Sequence, residues 1–168
     1  MRPLDSASAC VLMRSIVGTL RERALHLDGR ELVDEAATLA AGAELASLLE
    51  WPCVVGLVGD LGAGKTTLVR GLLRAVGVTG PIRSPTYTLV ESYDTKLGVV
   101  HHLDCYRLRD SAEFEERGGP EYVAGVIALI EWPERVADRV RFDLTLALAF
   151  SANGRLLRVL AGGPDGAA

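Results

Sequence analysis

Short apolar runs alternate along the chain with segments that carry leucine or alanine at helical spacing. Cys53–Val58 and residues 123–130 are nearly continuous apolar runs, which is the pattern of strands covered on both faces of a parallel sheet. Helices are predicted from Asp34, a suitable N-cap residue, to Trp51-Pro52, and over residues 67–74. The pattern therefore predicts an α/β fold with a mixed, mostly parallel sheet flanked by helices.

The remaining elements are predicted from shorter patterns. β-Branched and aromatic residues predict a strand over residues 86–93, with residues 98–104 as its hairpin partner. The acidic segment 109–117 predicts a solvated helix. In the first long helix, we expect the core-facing stripe to consist of Val33, Ala36, Leu39, Ala43, Ala46 and Leu49.

Turn signals mark both ends of the folded region. Asp28-Gly29 predicts a hairpin turn near the start of the chain. Asn153-Gly154 predicts a turn between two closing strands, residues 142–150 and 156–160.

The length of 168 residues and the hydrophobic content of 49% fit one domain with one core. We assign that domain to residues 31–161. Residues 1–30 are predicted to form an N-terminal extension that could be mobile, and residues 162–168 a disordered tail.

The charge and the cysteine content indicate which kinds of protein this chain does not resemble. A net charge of −4 argues against a nucleic-acid-binding surface, which normally carries a basic face. The three cysteines show no C-x-x-C spacing, so Cys53 and Cys105 are expected to be buried thiols of a protein in a reducing compartment. Because no run of 18 apolar residues and no convincing signal peptide occurs, we expect no membrane span and a cytoplasmic location.

The strongest chemical signal is Gly59-Asp60-Leu61-Gly62-Ala63-Gly64-Lys65-Thr66, which fits the G-x-x-x-x-G-K-[ST] pattern without a mismatch. It lies between a predicted strand and a predicted helix, which is the context that the phosphate-binding loop requires. Glycines let backbone N–H groups surround a phosphate chain, and the helix directs its positive end at the same anion. Lys65 is expected to reach the β- and γ-phosphates, and the Thr66 hydroxyl to bind Mg²⁺. The fold class is therefore a single P-loop NTPase domain.

Two acidic residues follow predicted strands. Asp104 is the last residue of the predicted strand 98–104, and Glu131 directly follows the apolar run of residues 123–130. Because ligands of open α/β sheets bind beyond the carboxyl ends of strands, both carboxylates are candidates for binding Mg²⁺ or orienting the attacking water. The sequence leaves open which carboxylate has which role.

Weaker candidates surround these residues. Thr86, in Ser84-Pro85-Thr86, is a candidate switch residue that senses the γ-phosphate, although such a segment is more often only a turn. His101 and His102 lack a companion ligand at zinc spacing, which favours a structural role. The absence of an Asn-Lys-x-Asp tetrapeptide weakly favours adenine over guanine. No arginine is obviously placed as a catalytic finger; Arg83 and Arg107 are candidates, with surface charge as the alternative for each.

Four motifs in order carry a family resemblance: Gly59 to Thr67, Ser84-Pro85-Thr86-Tyr87-Thr88-Leu89-Val90, His102-Leu103-Asp104-Cys105-Tyr106-Arg107-Leu108, and Ile130-Glu131-Trp132-Pro133-Glu134. Together they resemble the TsaE (YjeE) family of bacterial ATPases required for threonylcarbamoyladenosine (t6A) modification of tRNA. The likeness covers about residues 33–160, including a similar opening segment, Asp34 to Leu39. Cys105 departs from the apolar residue that the family usually has there.

The resemblance implies a slow ATPase that acts with two partner proteins, TsaB and TsaD. This pair transfers threonylcarbamoyl from its adenylate to tRNA, and ATP hydrolysis by TsaE is thought to reset the pair between turnovers. Contact with tRNA is then expected only through the partners.

The resemblance also implies roles for individual residues. The nucleotide-binding set would be Asp60, Gly62, Ala63, Gly64, Lys65, Thr66, Thr67, Glu35 and Thr38. Thr66 and Glu131 would contact Mg²⁺, with Asp104 as a catalytic or metal-organising acid. Thr86 would belong to a switch-like loop, and Lys65 would act on the phosphates.

Two other function classes remain. A small-molecule kinase would transfer the γ-phosphate to a metabolite and usually needs an arginine-bearing lid. A non-catalytic ATP sensor would bind ATP and a partner only.

Overall fold

The computed structural model describes residues 20–85 and 87–160. Residues 1–19, Thr86 and residues 161–168 lie outside the described part, and with them most of the predicted extension and the predicted tail.

The chain folds into one seven-stranded sheet with helices packed on it. The strands are β1 (Arg30–Leu32), β2 (Cys53–Val58), β3 (Val90–Thr95), β4 (Gly98–Asp104), β5 (Ile127–Glu131), β6 (Leu144–Ser151) and β7 (Gly154–Val159). The α-helices with defined bounds are α1 (Glu35–Ala46), α2 (Lys65–Ala75) and α3 (Ser111–Glu116). The spatial order of the strands in the sheet is β1-β7-β6-β2-β5-β4-β3. The central strands β6, β2, β5 and β4 are parallel, which confirms the predicted mixed, mostly parallel sheet.

The register of the central strands places three residues in one row. Leu57 of β2 pairs with Glu131 of β5, and Glu131 pairs with Asp104 of β4. Paired residues on neighbouring strands project from the same face of a sheet. The two carboxylates that end β4 and β5 therefore lie side by side, next to the strand that leads into the glycine-rich loop.

Helices α1 and α2 approach each other closely at two glycines. A Cβ atom added to Gly42 would lie 2.1 Å from the carbonyl oxygen of Leu68, and one added to Gly71 would lie 2.1 Å from that of Leu39. This contact orients α1, so its buried residues are Thr38, Ala41, Gly42, Leu45 and Ala46. The predicted core-facing stripe is therefore correct only at its end: Ala46 and Leu49 are buried, whereas Val33, Ala36 and Ala43 are exposed. An alanine-rich helix is nearly as apolar on one side as on the other, so its pattern does not define the buried face.

Two strands begin later than predicted. The strand expected over residues 86–93 begins at Val90, because the N–H groups of Thr88 and Leu89 both bond to the carbonyl of Pro85 in a turn. The strand expected over residues 123–130 begins at Ile127, after Gly125 with φ 68°. The hairpin of β3 with β4 is confirmed.

Of the two predicted turns, the one between the closing strands is confirmed, shifted by one residue, and the hairpin at Asp28-Gly29 is wrong. Asp28-Gly29 does not join two paired strands, because β1 pairs with β7 and a 3-10 turn precedes it. The turn between β6 and β7 consists of residues 152–153, and Gly154 already belongs to β7. Residues before β1 contribute to the main core through Leu20, Ala24 and Leu27.

We expect Gly71→Ala to destabilise the protein by about 1–3 kcal/mol, because the added methyl group forces α2 away from the Leu39 carbonyl. Gly80→Ala is the matched control, since a Cβ atom there meets nothing within 4 Å. The free energy of unfolding in urea measures both effects. Equal stability of the two variants would contradict this account of the helix contact.

Candidate nucleotide site

The glycine-rich loop connects β2 to α2 and follows the sheet closely. Gly59 takes φ 145°, and a Cβ atom there would lie 2.2 Å from the carbonyl oxygen of Leu148 in β6. Gly64 takes φ 105° as the residue that precedes α2. Both positions require glycine, because side chains strain such backbone angles. The loop is thereby fixed against the sheet with the N-terminus of α2 open to an anion.

Lys65 is the first residue of α2, and its side chain is only 4% exposed. Its ammonium donates hydrogen bonds to the carbonyls of Gly59 and Asp60, at 2.9 Å in the second case, and lies 4.1 Å from the centroid of the Trp132 ring. Burial lowers the pKa of Lys65, although the nearby carboxylates act in the opposite direction. An anion bound in the loop would favour the charged form of this lysine.

Glu131, the last residue of β5, contacts the start of α2. The Thr66 hydroxyl donates a hydrogen bond to Oε1 of Glu131 over 2.7 Å. Nε2 of His102 lies 2.9 Å from the same oxygen. Both Glu131 and His102 are buried, at 3% and 0% exposed. A hydroxyl and a carboxylate are thus held together at the start of α2.

The Asp104 carboxylate accepts hydrogen bonds from two other groups. Ser84 donates a hydrogen bond to Oδ2 over 2.8 Å, and the backbone N–H of Tyr106 donates to Oδ1 over 3.0 Å. Asp104 is 6% exposed. Ser84 therefore ties the segment before Thr86 to the end of β4.

These groups border a cavity of about 460 Å³. Its lining consists of Leu61, Gly62, Gly64, Lys65, Thr66, Thr67, Ser84, Asp104, Tyr106, Arg107, Glu131, Trp132 and Arg155. The volume is in the range of small-molecule sites. A second cavity of about 250 Å³ is lined by Glu35, Thr38, Thr67, Arg70 and Arg155. Thr67 and Arg155 border both cavities, so the two are neighbours.

The structure brings most of the predicted site residues together. Gly62, Gly64, Lys65, Thr66, Thr67, Asp104 and Glu131 line the first cavity, and Glu35 and Thr38 line the second. Asp60 and Ala63 belong to the loop but line neither cavity, and the hydrogen bond from Ala63 N–H to the Asp60 carbonyl closes a turn. Thr86 lies outside the described residues. Arg107 lines the first cavity with its guanidinium over the ring of Tyr87, whereas Arg83 lines neither.

Arg155 is the main residue that the sequence did not identify. It packs against the loop, since a Cβ atom on Gly64 would lie 3.1 Å from its Cδ and Nε atoms. Its Nε is buried and has no hydrogen-bond partner among the described residues, and one terminal nitrogen lies 3.4 Å from the Gly62 carbonyl. The only sequence signal was its position directly after Asn153-Gly154, which was predicted to be a turn. The pairing of β7 with β6, which brings it to the loop, is not visible in the sequence.

These donors fit a magnesium nucleotide. The buried N–H of Arg155 and the ammonium of Lys65 offer positive charge to phosphate oxygens. Thr66 and Glu131, whose hydroxyl and carboxylate are in contact, offer the hard oxygen ligands that Mg²⁺ prefers.

Comparison with known proteins identifies a family to which the chain is similar. The family model described as Threonylcarbamoyl adenosine biosynthesis protein TsaE matches residues 32–157. The tRNA threonylcarbamoyladenosine biosynthesis protein TsaE of Haemophilus influenzae is 45% identical over 108 residues, or 61% of this chain and 68% of that protein. The protein of the same name from Nostoc sp. is 38% identical over 128 residues, or 73% of this chain and 78% of that protein.

The fold is also found in a solved structure. The crystal structure of Bacillus subtilis YdiB matches with a TM-score of 0.60 at 24% identity, covering 75% of this chain and 79% of that one. At this identity the match shows the shared fold. Within the described residues, none of the helices combines the length and the apolar character that a membrane span requires.

We expect Arg155→Ala to weaken ATP binding by about 10- to 100-fold, because a charge-assisted hydrogen bond contributes about 1.5–3 kcal/mol. Arg158→Ala is the control: Arg158 lies on the same strand but bonds to the Asp28 carboxylate. Isothermal titration calorimetry gives both affinities. A loss of affinity that is the same in both variants would show that Arg155 has no specific role at the loop.

Proposed function

The chain belongs to the TsaE family, and from this premise we propose that it is a magnesium-dependent ATPase that supports t6A modification of tRNA together with TsaB and TsaD. The observation that carries the proposal is the 2.7 Å hydrogen bond between Thr66 and Glu131. It joins the hydroxyl of the phosphate-loop motif to a strand-end carboxylate, which is the pairing expected for binding a metal–phosphate complex.

The loop and its cations bind the triphosphate in this proposal. Backbone N–H groups at the start of α2 and the positive end of that helix act on the phosphate oxygens. Lys65 already lies in the cavity, with its ammonium held by two loop carbonyls and Trp132. Arg155 adds a second cation between the two cavities. Thr67, Glu35 and Thr38 then lie on the side where the nucleoside would extend.

The metal assignment follows from charge and contacts. The first cavity holds the carboxylates of Asp104 and Glu131, so a triphosphate without a divalent cation would meet repulsion there. Thr66 and Glu131 would hold Mg²⁺, because their oxygen atoms are already in contact. Bound Mg²⁺ would neutralise negative charge on the phosphate oxygens.

Asp104 is proposed to orient the attacking water. Its hydrogen bonds come from Ser84 and the Tyr106 N–H, separate from the Thr66–Glu131 pair, while its side chain lines the same cavity. Ser84 also links Asp104 to the segment that leads to Thr86, which is the proposed switch residue. In this proposal Glu131 binds the metal and Asp104 orients the water.

The role in tRNA modification rests on the family. Relatives that are 45% and 38% identical to the chain are named tRNA threonylcarbamoyladenosine biosynthesis protein TsaE. A chain with a net charge of −4 is suited to act on tRNA through the TsaB–TsaD pair rather than by binding tRNA itself. Slow hydrolysis in the free protein and faster hydrolysis in the complex are expected, because a charge supplied by a partner can raise the rate by about 10³–10⁵.

We expect Lys65→Ala to abolish ATP binding and Glu131→Ala to remove mainly hydrolysis. Lys65 supplies charge to the phosphates, whereas the Glu131 carboxylate serves the metal, so its loss should lower the rate at least about 100-fold. Phosphate release without an added acceptor gives the rate, and calorimetry in EDTA gives the affinity. Glu131→Ala with the wild-type rate of hydrolysis would show that the assignment of Glu131 is wrong.

The cellular role is tested by reconstitution. Purified TsaB and TsaD, the threonylcarbamoyl adenylate, tRNA and ATP are combined with the wild-type protein or with the Glu131→Ala variant. We expect multiple rounds of tRNA modification with the wild type and no more than about one round with the variant. Equal modification with both would contradict a role for ATP hydrolysis, and phosphate transfer to a small metabolite would favour the kinase class.

A further inference from the structure

We propose that His102 is a positioning residue for the metal: it orients the Glu131 carboxylate so that Thr66 and Glu131 together bind Mg²⁺. The inference rests on the proposed function, since it concerns the same metal. It assigns a task to a buried side chain for which the sequence indicated only a structural role.

The first argument is the geometry of Glu131. The hydrogen bonds from Thr66 and His102 both end on Oε1, at 2.7 and 2.9 Å. Two donors on one oxygen fix the rotation of the carboxylate, and the side chain still lines the cavity. A carboxylate so fixed loses less conformational freedom when it binds a metal.

The second argument is the set of hydrogen bonds that His102 makes. An ionised carboxylate only accepts hydrogen bonds, so in this contact His102 donates from Nε2. The ring is fully buried, and its Nδ1 has no hydrogen-bond partner among the described residues. Among the described residues, Glu131 is therefore the hydrogen-bond partner of the His102 imidazole. This hydrogen bond orients both side chains.

The third argument is strand geometry. Side chains two residues apart on a strand share a face, so His102 projects on the same face of β4 as Asp104. His102 pairs with Leu129, and Glu131 is two residues further along β5. His101 projects from the opposite face, where its Nδ1 lies 2.8 Å from the Ser92 hydroxyl and its ring packs against Tyr122. His101 thus provides a matched control in the next position of the same strand.

The test is the magnesium dependence of nucleotide binding, measured with the non-hydrolysable analogue adenylyl imidodiphosphate. Affinity without metal is measured by calorimetry in EDTA, and the magnesium midpoint is measured on separate samples of the complex that contain no EDTA. We expect His102→Phe to keep the wild-type affinity in EDTA and to need about 10- to 100-fold more Mg²⁺ for half-saturation. His101→Phe is expected to behave as the wild type in both measurements.

Two amide variants separate hydrogen bonding from packing. The side-chain amide of Gln can place a donor near the position of Nε2, whereas Asn is one methylene shorter. We therefore expect His102→Gln to restore the magnesium midpoint to within a few-fold of the wild type, and His102→Asn to resemble His102→Phe. If His102→Phe does not fold, as judged by its thermal melt, the comparison of Gln with Asn decides.

The outcomes distinguish the inference from the proposed function. Nucleotide binding by the wild type that is indifferent to Mg²⁺ would contradict the metal assignment in the proposed function itself. A wild type that responds to Mg²⁺ together with a His102→Phe midpoint within twofold of it would overturn the inference alone. Equal midpoints for the Gln and Asn variants would also overturn it, because packing would then explain the effect.

Discussion

The parallel register of β2, β5 and β4 is the constraint on which the site depends. It places Leu57, Glu131 and Asp104 in one row, with neighbouring strands about 4.8 Å apart. Two carboxylates at this spacing repel each other unless donors or cations surround them. Their partners come from outside the row: Thr66 and His102 for Glu131, and Ser84 and the Tyr106 N–H for Asp104. The result is a pair of fixed acids beside a phosphate-binding loop, which is the arrangement that a divalent cation can complete.

Contacts elsewhere in the fold hold the glycine-rich loop next to the row formed by Leu57, Glu131 and Asp104. Gly59 lies against the Leu148 carbonyl of β6, so the start of the loop packs closely on the sheet. The close contact at Gly42 and Gly71 holds α1 against α2, which carries Lys65 and Thr66. Helix α1 in turn brings Glu35 and Thr38 to the second cavity. Small residues at the helix contact thus help to place the second cavity beside the first.

The sequence identified the parts of the site that depend on local patterns. The phosphate loop and the two strand-end acids were predictable because strand, loop and helix are adjacent in the chain, and strand ends can be read from apolar runs. His102 and Arg155 were not assigned to the site, because their roles depend on pairing between strands that are distant in sequence. The buried face of α1 was predicted only in part, because the close approach at Gly42 helps to determine which residues face the core. The start of β3 was missed because the Pro85 carbonyl accepts two backbone hydrogen bonds in a turn.

The most direct measurement is paramagnetic broadening of the backbone amide resonances by Mn²⁺, used in place of Mg²⁺, with the non-hydrolysable nucleotide bound. If the metal lies between the loop and the row of acids, the resonances of Thr66, Asp104 and Glu131 disappear at the lowest Mn²⁺ concentration, and those of β1 and β7 away from the loop persist. Broadening that begins at another acidic part of the surface, such as that around Glu113, with the resonances of Thr66 and Glu131 unchanged, would contradict the account.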